Sequence, residues 1–427
     1  MKEKKMTVAI DLCRDYSQIC YYTEGMQEGV SVSVIPGEER FLVPMVIAKR
    51  YQWDEWYIGE VALQYLQKEE AVGVYDLMDL VGRKQAVELE GKTYQALELL
   101  QYYLEKLLQY LPVKIEGEWL QTLVITLEHQ TQELINDLHH VCRVLDIKQE
   151  QVTIIGHAES FIYYTLFQKK ELWTNDVIVF DFTKYAFTMK RLSMIRTNRA
   201  PVQTIVKEQD YSDKLQFSLL ETAEGKTEAD RTFAEIVEAV SAGQFISTIY
   251  LTGCGFYENW LDTALTALCN KHRVFQGYNL FVKGGIYAAM HKAGKGNCDN
   301  YQFICTGRTL VDFSLEVLQD TENVYLTLSN AGKNWYEAGA RLECLLEHTK
   351  QVKLRITSAL TKESQDELIS LESFPDRPLR TTRIELTLAY ENDQTCILYI
   401  KDKGFGDFYP ATDTFVRKEI NIQRYIL

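Results

Sequence analysis

Two short apolar runs, residues 8–12 (Val-Ala-Ile-Asp-Leu) and 177–182 (Val-Ile-Val-Phe-Asp-Phe), anchor the pattern of this chain. Each is continuous enough for a strand buried on both faces, and each carries one aspartate in an apolar setting. Elsewhere in the first 300 residues the spacing is helical. Leu97, Leu100, Leu104, Leu107 and Leu108 share one face of a helix predicted over 94–110, and further helices are predicted over 130–145 and 228–242. After Asn300 the period shortens to two. Residues 324–328, 352–356, 383–388 and 396–400 alternate in a way that predicts antiparallel strands. The pattern as a whole predicts an α/β region followed by an all-β sandwich. Polar breaks at 172–175 and 293–297 divide it into segments 1–173, 174–297 and 298–427.

Charge narrows the partners. With 46 Lys and Arg against 60 Asp and Glu, the net charge of −14 disfavours nucleic acid and anionic membranes. No apolar run approaches the roughly 20 residues that span a bilayer, and the charged start, Met1 to Met6, leads into a strand rather than an apolar leader. The nine cysteines are odd in number and lack C-x-x-C spacing, so free thiols in a reducing, cytoplasmic setting are expected. His139 and His140 are adjacent on the helix predicted over 130–145, about 100° apart, which suits a shared metal poorly.

Seven further segments carry a resemblance. They are residues 41–46 (Phe-Leu-Val-Pro-Met-Val), 57–62, 80–84 (Leu-Val-Gly-Arg-Lys), 124–127, 154–160, 249–255 (Ile-Tyr-Leu-Thr-Gly-Cys-Gly) and 282–289. With the two aspartate strands they resemble, in order, the DnaK-type heat-shock chaperones of the actin-like ATPase superfamily. The stretches 383–388, 397–404 and 418–422 extend the likeness to that family's substrate-binding β domain. The resemblance implies a duplicated ribonuclease-H-like (actin-like ATPase) domain followed by a β-sandwich, here expected without a helical lid.

The resemblance also implies a nucleotide site, and this sequence departs from it. Asp11 and Asp181 match the metal-side aspartates, Gly253 and Gly255 the adenosine loop, and Arg14, Lys184 and His157 would line the same vestigial site. The two phosphate turns, 13–17 and 183–187, contain no glycine, which such turns need for close backbone approach. Asp15 adds a charge that repels phosphate, although Arg14 and Lys184 oppose it. Met78 replaces the phosphate-contacting lysine, His157 a catalytic-side glutamate, and Ala186 and Thr188 a hydroxyl and a carboxylate. Asp181 and Gly253 are 72 positions apart, which leaves little chain for the lobe that covers adenine in the family. Phosphoryl transfer depends on positioning and electrostatics, so no catalytic residues, resident cofactor or metal are expected.

The expected function is therefore that of a non-hydrolysing, chaperone-like or scaffold protein with a peptide or protein partner. By the resemblance, Tyr325, Leu326, Trp335 and Tyr336 would form the peptide notch, although aromatics at this spacing also suit a core. The alternative is a nucleotide sensor or residual ATPase that binds ATP or ADP with Mg²⁺.

Overall fold

The strand Met6–Leu12 is buried at all seven positions and forms the centre of a sheet. It runs parallel to Leu120–Leu127, which runs parallel to Val152–Gly156, and it is antiparallel to Tyr16–Thr23 on its other side. That hairpin strand pairs in turn with Val30–Ser31 and Val43–Pro44. A second sheet repeats the order. Asp176–Phe182 is its centre, with Ile246–Thr252 and then Arg273–Gln276 parallel on one side. Phe187–Ile195 and then Val202–Asp210 lie antiparallel on the other. Asp11 sits opposite Thr126 and Gln18, and Asp181 opposite Thr252 and Thr188, so the two aspartates hold equivalent places in the two sheets.

In this computed structural model residues 5–34, 39–53, 55–113, 118–196, 201–270, 272–296, 298–320, 322–347 and 350–426 are described. The chain divides into two compact units, Met1–Tyr301 and Gln302–Leu427. Asn297, in the expected second break, and the first four residues of the charged start lie outside the described residues.

Within the first unit, the helices His157–Leu166 and Leu280–Lys292 cross very closely. A Cβ on Gly284 would lie 2.2 Å from the Ser160 carbonyl oxygen, so only glycine allows this approach. Behind the second sheet, Phe180, Phe182, Phe187, Phe233, Phe256 and Trp260 form an aromatic core. The helix Ala223–Ser241 closes over that core. It begins five residues before the predicted start because the Thr222 hydroxyl accepts the Gly225 N–H and caps it there. The other two predicted helices are Ala96–Leu108 and Gln132–Val144. No helix among the described residues is long and apolar enough to cross a membrane.

The second unit has two four-stranded antiparallel sheets. One runs Glu322–Ser329, Val311–Gln319, Gln351–Ser358, Ser364–Ser370, and the other Ala340–Leu346, Thr382–Tyr390, Thr395–Gly404, Phe415–Asn421. Phe313, Leu354 and Ile356 of the first and Ile384, Leu386 and Leu398 of the second are buried, and Phe313 meets Tyr390 edge-on at 6.1 Å. Alternation thus buries one face of each central strand, as the period of two requires.

Candidate functional site

Asp11 is 1% exposed, at the end of its strand. One carboxylate oxygen accepts the Thr126 hydroxyl at 2.6 Å and faces His157 Nε2 at 2.7 Å, while the other accepts the Cys13 thiol at 3.6 Å. His157 opens its helix, with its ring stacked 3.9 Å from Phe281. Burial alone would lower the His157 pKa, but the charge and hydrogen bond of Asp11 outweigh it and the net shift is upward. Burial, and then Asp11, push the Cys13 thiol well above its ordinary range, so it is no free nucleophile.

Asp181 is equally buried, and its Oδ1 has no hydrogen-bond partner among the described residues. Burial raises its pKa to about 7, against the pull of Lys190 and His157. Lys190 is a buried cation near Asp181 that sequence reasoning missed. It is 3% exposed, its ammonium lies 3.5 Å from Glu208, and Phe281 presents its ring at 5.9 Å. The signal was register, because Val179 pairs with Lys190 and Asp181 with Thr188, which places Lys190 on the aspartate's face of the sheet.

The two turns after these strands grip each other. The Asp15 carboxylate accepts the Lys184 backbone N–H at 3.0 Å and the Cys254 thiol at 3.4 Å. Arg14 forms an ion pair with Asp79 at 2.5 Å and lies over the Tyr185 ring at 3.7 Å, and Tyr185 donates to Asp76 at 2.9 Å. Gln18 donates to the Tyr278 carbonyl and Asn279 to the Ser31 hydroxyl, which ties the first hairpin to the second half of the unit. Burial raises the Asp15 pKa, an effect that the Lys184 N–H partly offsets. Beside this latch lies a cavity of about 630 Å³ whose lining includes Tyr16, Leu42, Tyr75, Lys184, Tyr257 and Tyr278.

Asp11, His157 and Asp181 therefore lie together, while Arg14 and Lys184 belong to the latch above them. Gly253 and Gly255 are committed to packing. A Cβ on Gly253, at φ 92°, would lie 2.4 Å from the Phe182 carbonyl oxygen, and one on Gly255 would lie 2.4 Å from the Phe182 ring.

In the second unit the four expected notch residues do not form one surface. Trp335 is 2% exposed, with Tyr336 edge-on against it. Tyr325 lies under the Arg355 guanidinium at 3.8 Å, and Leu326, next on the strand, points to the opposite face. An apolar concavity lies elsewhere in the unit, lined by residues 315–318, 344–347 and 351–353 among others. Its volume is about 990 Å³, and its lining includes Leu318, Leu345, Leu346, Val352 and Leu368. Leu318 and Leu345 are each 47% exposed and Leu368 is 62% exposed. On the rim, Glu316 pairs with Lys353 at 3.1 Å and Glu347 with Arg380 at 2.9 Å, and Asp320 adds a further carboxylate. These leucines escaped sequence reasoning because they lie on strands it did not predict.

Two family models match. One, described as "Family of unknown function (DUF5716) C-terminal", covers residues 28–306. The other, "Domain of unknown function (DUF8552)", covers residues 308–422. No curated protein matches the chain.

Proposed function

The chain belongs to the DUF5716 family of unknown function, and we propose that it is a non-hydrolysing relative of the DnaK-type actin-like ATPases that binds extended apolar peptide segments. The groove of the second unit carries this reading. It presents exposed leucines beside two ion pairs on its rim. The strands Glu322–Ser329 and Ala340–Leu346, which border it, are both sheet edges with backbone groups free to pair with an added strand. An uncharged, leucine-rich extended segment matches that chemistry.

The absence of hydrolysis rests on the first unit. The duplicated strand order and the equivalent placing of Asp11 and Asp181 support descent from a ribonuclease-H-like nucleotide fold. Where the resemblance puts phosphate between the two turns, this chain has its own carboxylate, Asp15, on the Lys184 N–H. A nucleotide would have to displace that carboxylate and break the Arg14–Asp79 and Tyr185–Asp76 contacts, with no lysine at Met78 to reward it. The sensor reading draws on the cavity of about 630 Å³ beside the latch, with Tyr257 and Tyr278 on its wall.

Fluorescence anisotropy with labelled extended peptides tests the main reading. Leucine-rich peptides are expected to bind in the micromolar range and acidic ones not at all. Leu345→Glu, which puts an unpaired charge into the groove, is expected to weaken binding at least tenfold without unfolding the protein. Equal binding by Leu345→Glu and the parent would overturn the assignment of the groove. A rise in melting temperature with millimolar Mg-ATP would favour the sensor, because a ligand at 100 times its Kd adds about 2.7 kcal/mol.

A further inference from the structure

Three donor atoms of different chemistry converge beneath the latch. Asp11 Oδ2 and Cys13 Sγ are 3.6 Å apart, Cys13 Sγ and His157 Nε2 3.9 Å, and His157 Nε2 and Asp11 Oδ1 2.7 Å. These three side chains form a group able to hold a metal ion, and all three are buried. A tetrahedral zinc ion with bonds of about 2.0–2.3 Å holds its ligand atoms about 3.3–3.6 Å apart. The Asp11 Oδ2–Cys13 distance already has that size, Cys13 and His157 are about 0.3 Å too far apart, and Asp11 Oδ1 and His157 must part by roughly 0.6 Å on that geometry.

The donor set selects the ion. A thiol and an imidazole with one carboxylate suit a borderline divalent ion and are a poor shell for Mg²⁺, which prefers oxygen. The surroundings are acidic: Asp181, Glu128 and Glu208 act on Lys190, and Asp11 lies beside Asp181. Thr126 holds the Asp11 carboxylate from behind, a support that a metal ligand needs, and Phe281 stacks on the imidazole. Asp181 is the independent pointer. Its Oδ1 is buried without a hydrogen-bond partner among the described residues, and its charge acts on both His157 and Cys13. Tyr16 and Leu42 pack directly on Cys13 and line the cavity of about 630 Å³, so one layer of side chains separates the cluster from the cavity.

We propose that Asp11, Cys13 and His157 bind a divalent transition-metal ion of the zinc class, with the buried Asp181 carboxylate adding negative charge nearby. Cys13 binds as the thiolate and releases its proton to solvent, and His157 binds through the Nε2 lone pair of the neutral ring.

Cobalt(II) added to the metal-free full-length protein tests this. One equivalent is expected to give a thiolate-to-cobalt charge-transfer band that one equivalent of zinc abolishes. Cys13→Ser is expected to lose the band and to weaken binding at least tenfold, while Cys269→Ser, at an exposed cysteine, keeps both. Thr126→Val, which leaves every ligand in place, is expected to weaken cobalt binding 10–100-fold and keeps the test decisive should Cys13→Ser fold poorly. No stoichiometric binding, or an unchanged band in Cys13→Ser, would overturn the proposal.

Discussion

Lys190 is the buried cation on which the acidic cleft of the first unit depends. Burial alone would lower its pKa, but Glu208, then Asp181 and Glu128, outweigh that and keep it protonated. Removing one member of such a set leaves a buried charge uncompensated, which costs about 3–5 kcal/mol. Lys190→Met, similar in length and uncharged, is therefore expected to lower the urea midpoint substantially at pH 7. If Asp181 is the group left stranded, adding Asp181→Asn recovers part of the loss, and the double-mutant cycle shows a coupling above about 1 kcal/mol. Strictly additive effects would mean that Lys190 serves Glu208 alone. Asp11 and Asp181 were legible in the sequence because a carboxylate inside an apolar run is an anomaly at first reading. Lys190 was not, because in Met189-Lys190-Arg191 it reads as an ordinary polar position on a strand. Only the pairing of Val179 with Lys190 reveals its place, and pairing is a property of two segments rather than one.

At the scale of elements, the strand Thr395–Gly404 is held to its surroundings by one carboxylate. Asp402 is fully buried and accepts from both ends of the Arg377 guanidinium at 2.7 and 2.8 Å, from the Gly404 and Thr412 N–H groups, and from the Thr412 hydroxyl. Burial alone would raise its pKa, but Arg377 and these donors outweigh it and hold it well below the usual carboxylate range. The sign follows from linkage. A depressed folded-state pKa adds stability above the unfolded value near 3.9, and that stability is lost as pH falls from there through the folded value. Asp402→Asn is expected to melt well below the parent at pH 7, with the gap narrowing as pH drops below about 4. A gap of constant size would show that the carboxylate's charge contributes nothing. Of the four strands legible from alternation, Gln351–Ser358, Thr382–Tyr390 and Thr395–Gly404 bury one face, while Glu322–Ser329 is a largely open sheet edge. Ala340–Leu346 and Ser364–Ser370 were not predicted, and they are edge strands with one buried residue between them. The leucines of the groove lie partly on these strands, so the feature that best supports a function is the one the pattern could not display.

At the scale of the whole molecule, the division into Met1–Tyr301 and Gln302–Leu427 means two cores that are each built from their own residues. A core of that kind unfolds as a unit, so scanning calorimetry of the full chain is expected to show two transitions. Point changes assign them. Gly253→Ala forces a Cβ to within 2.4 Å of the Phe182 carbonyl oxygen at a φ of 92°, a clash with backbone that no side-chain rotation relieves. It is expected to lower one transition by several degrees and leave the other in place. Asp402→Asn is expected to do the reverse. Because Gly253 closes the strand end that carries Asp181, the transition it moves is also the one that zinc raises if the Asp11–Cys13–His157 cluster binds metal, while a leucine-rich peptide raises the other. Two ligands that act on separate transitions would place the metal and peptide sites on different units. A single transition, shifted alike by both substitutions, would instead mean that the units unfold together and that a ligand on either one stabilises the whole chain.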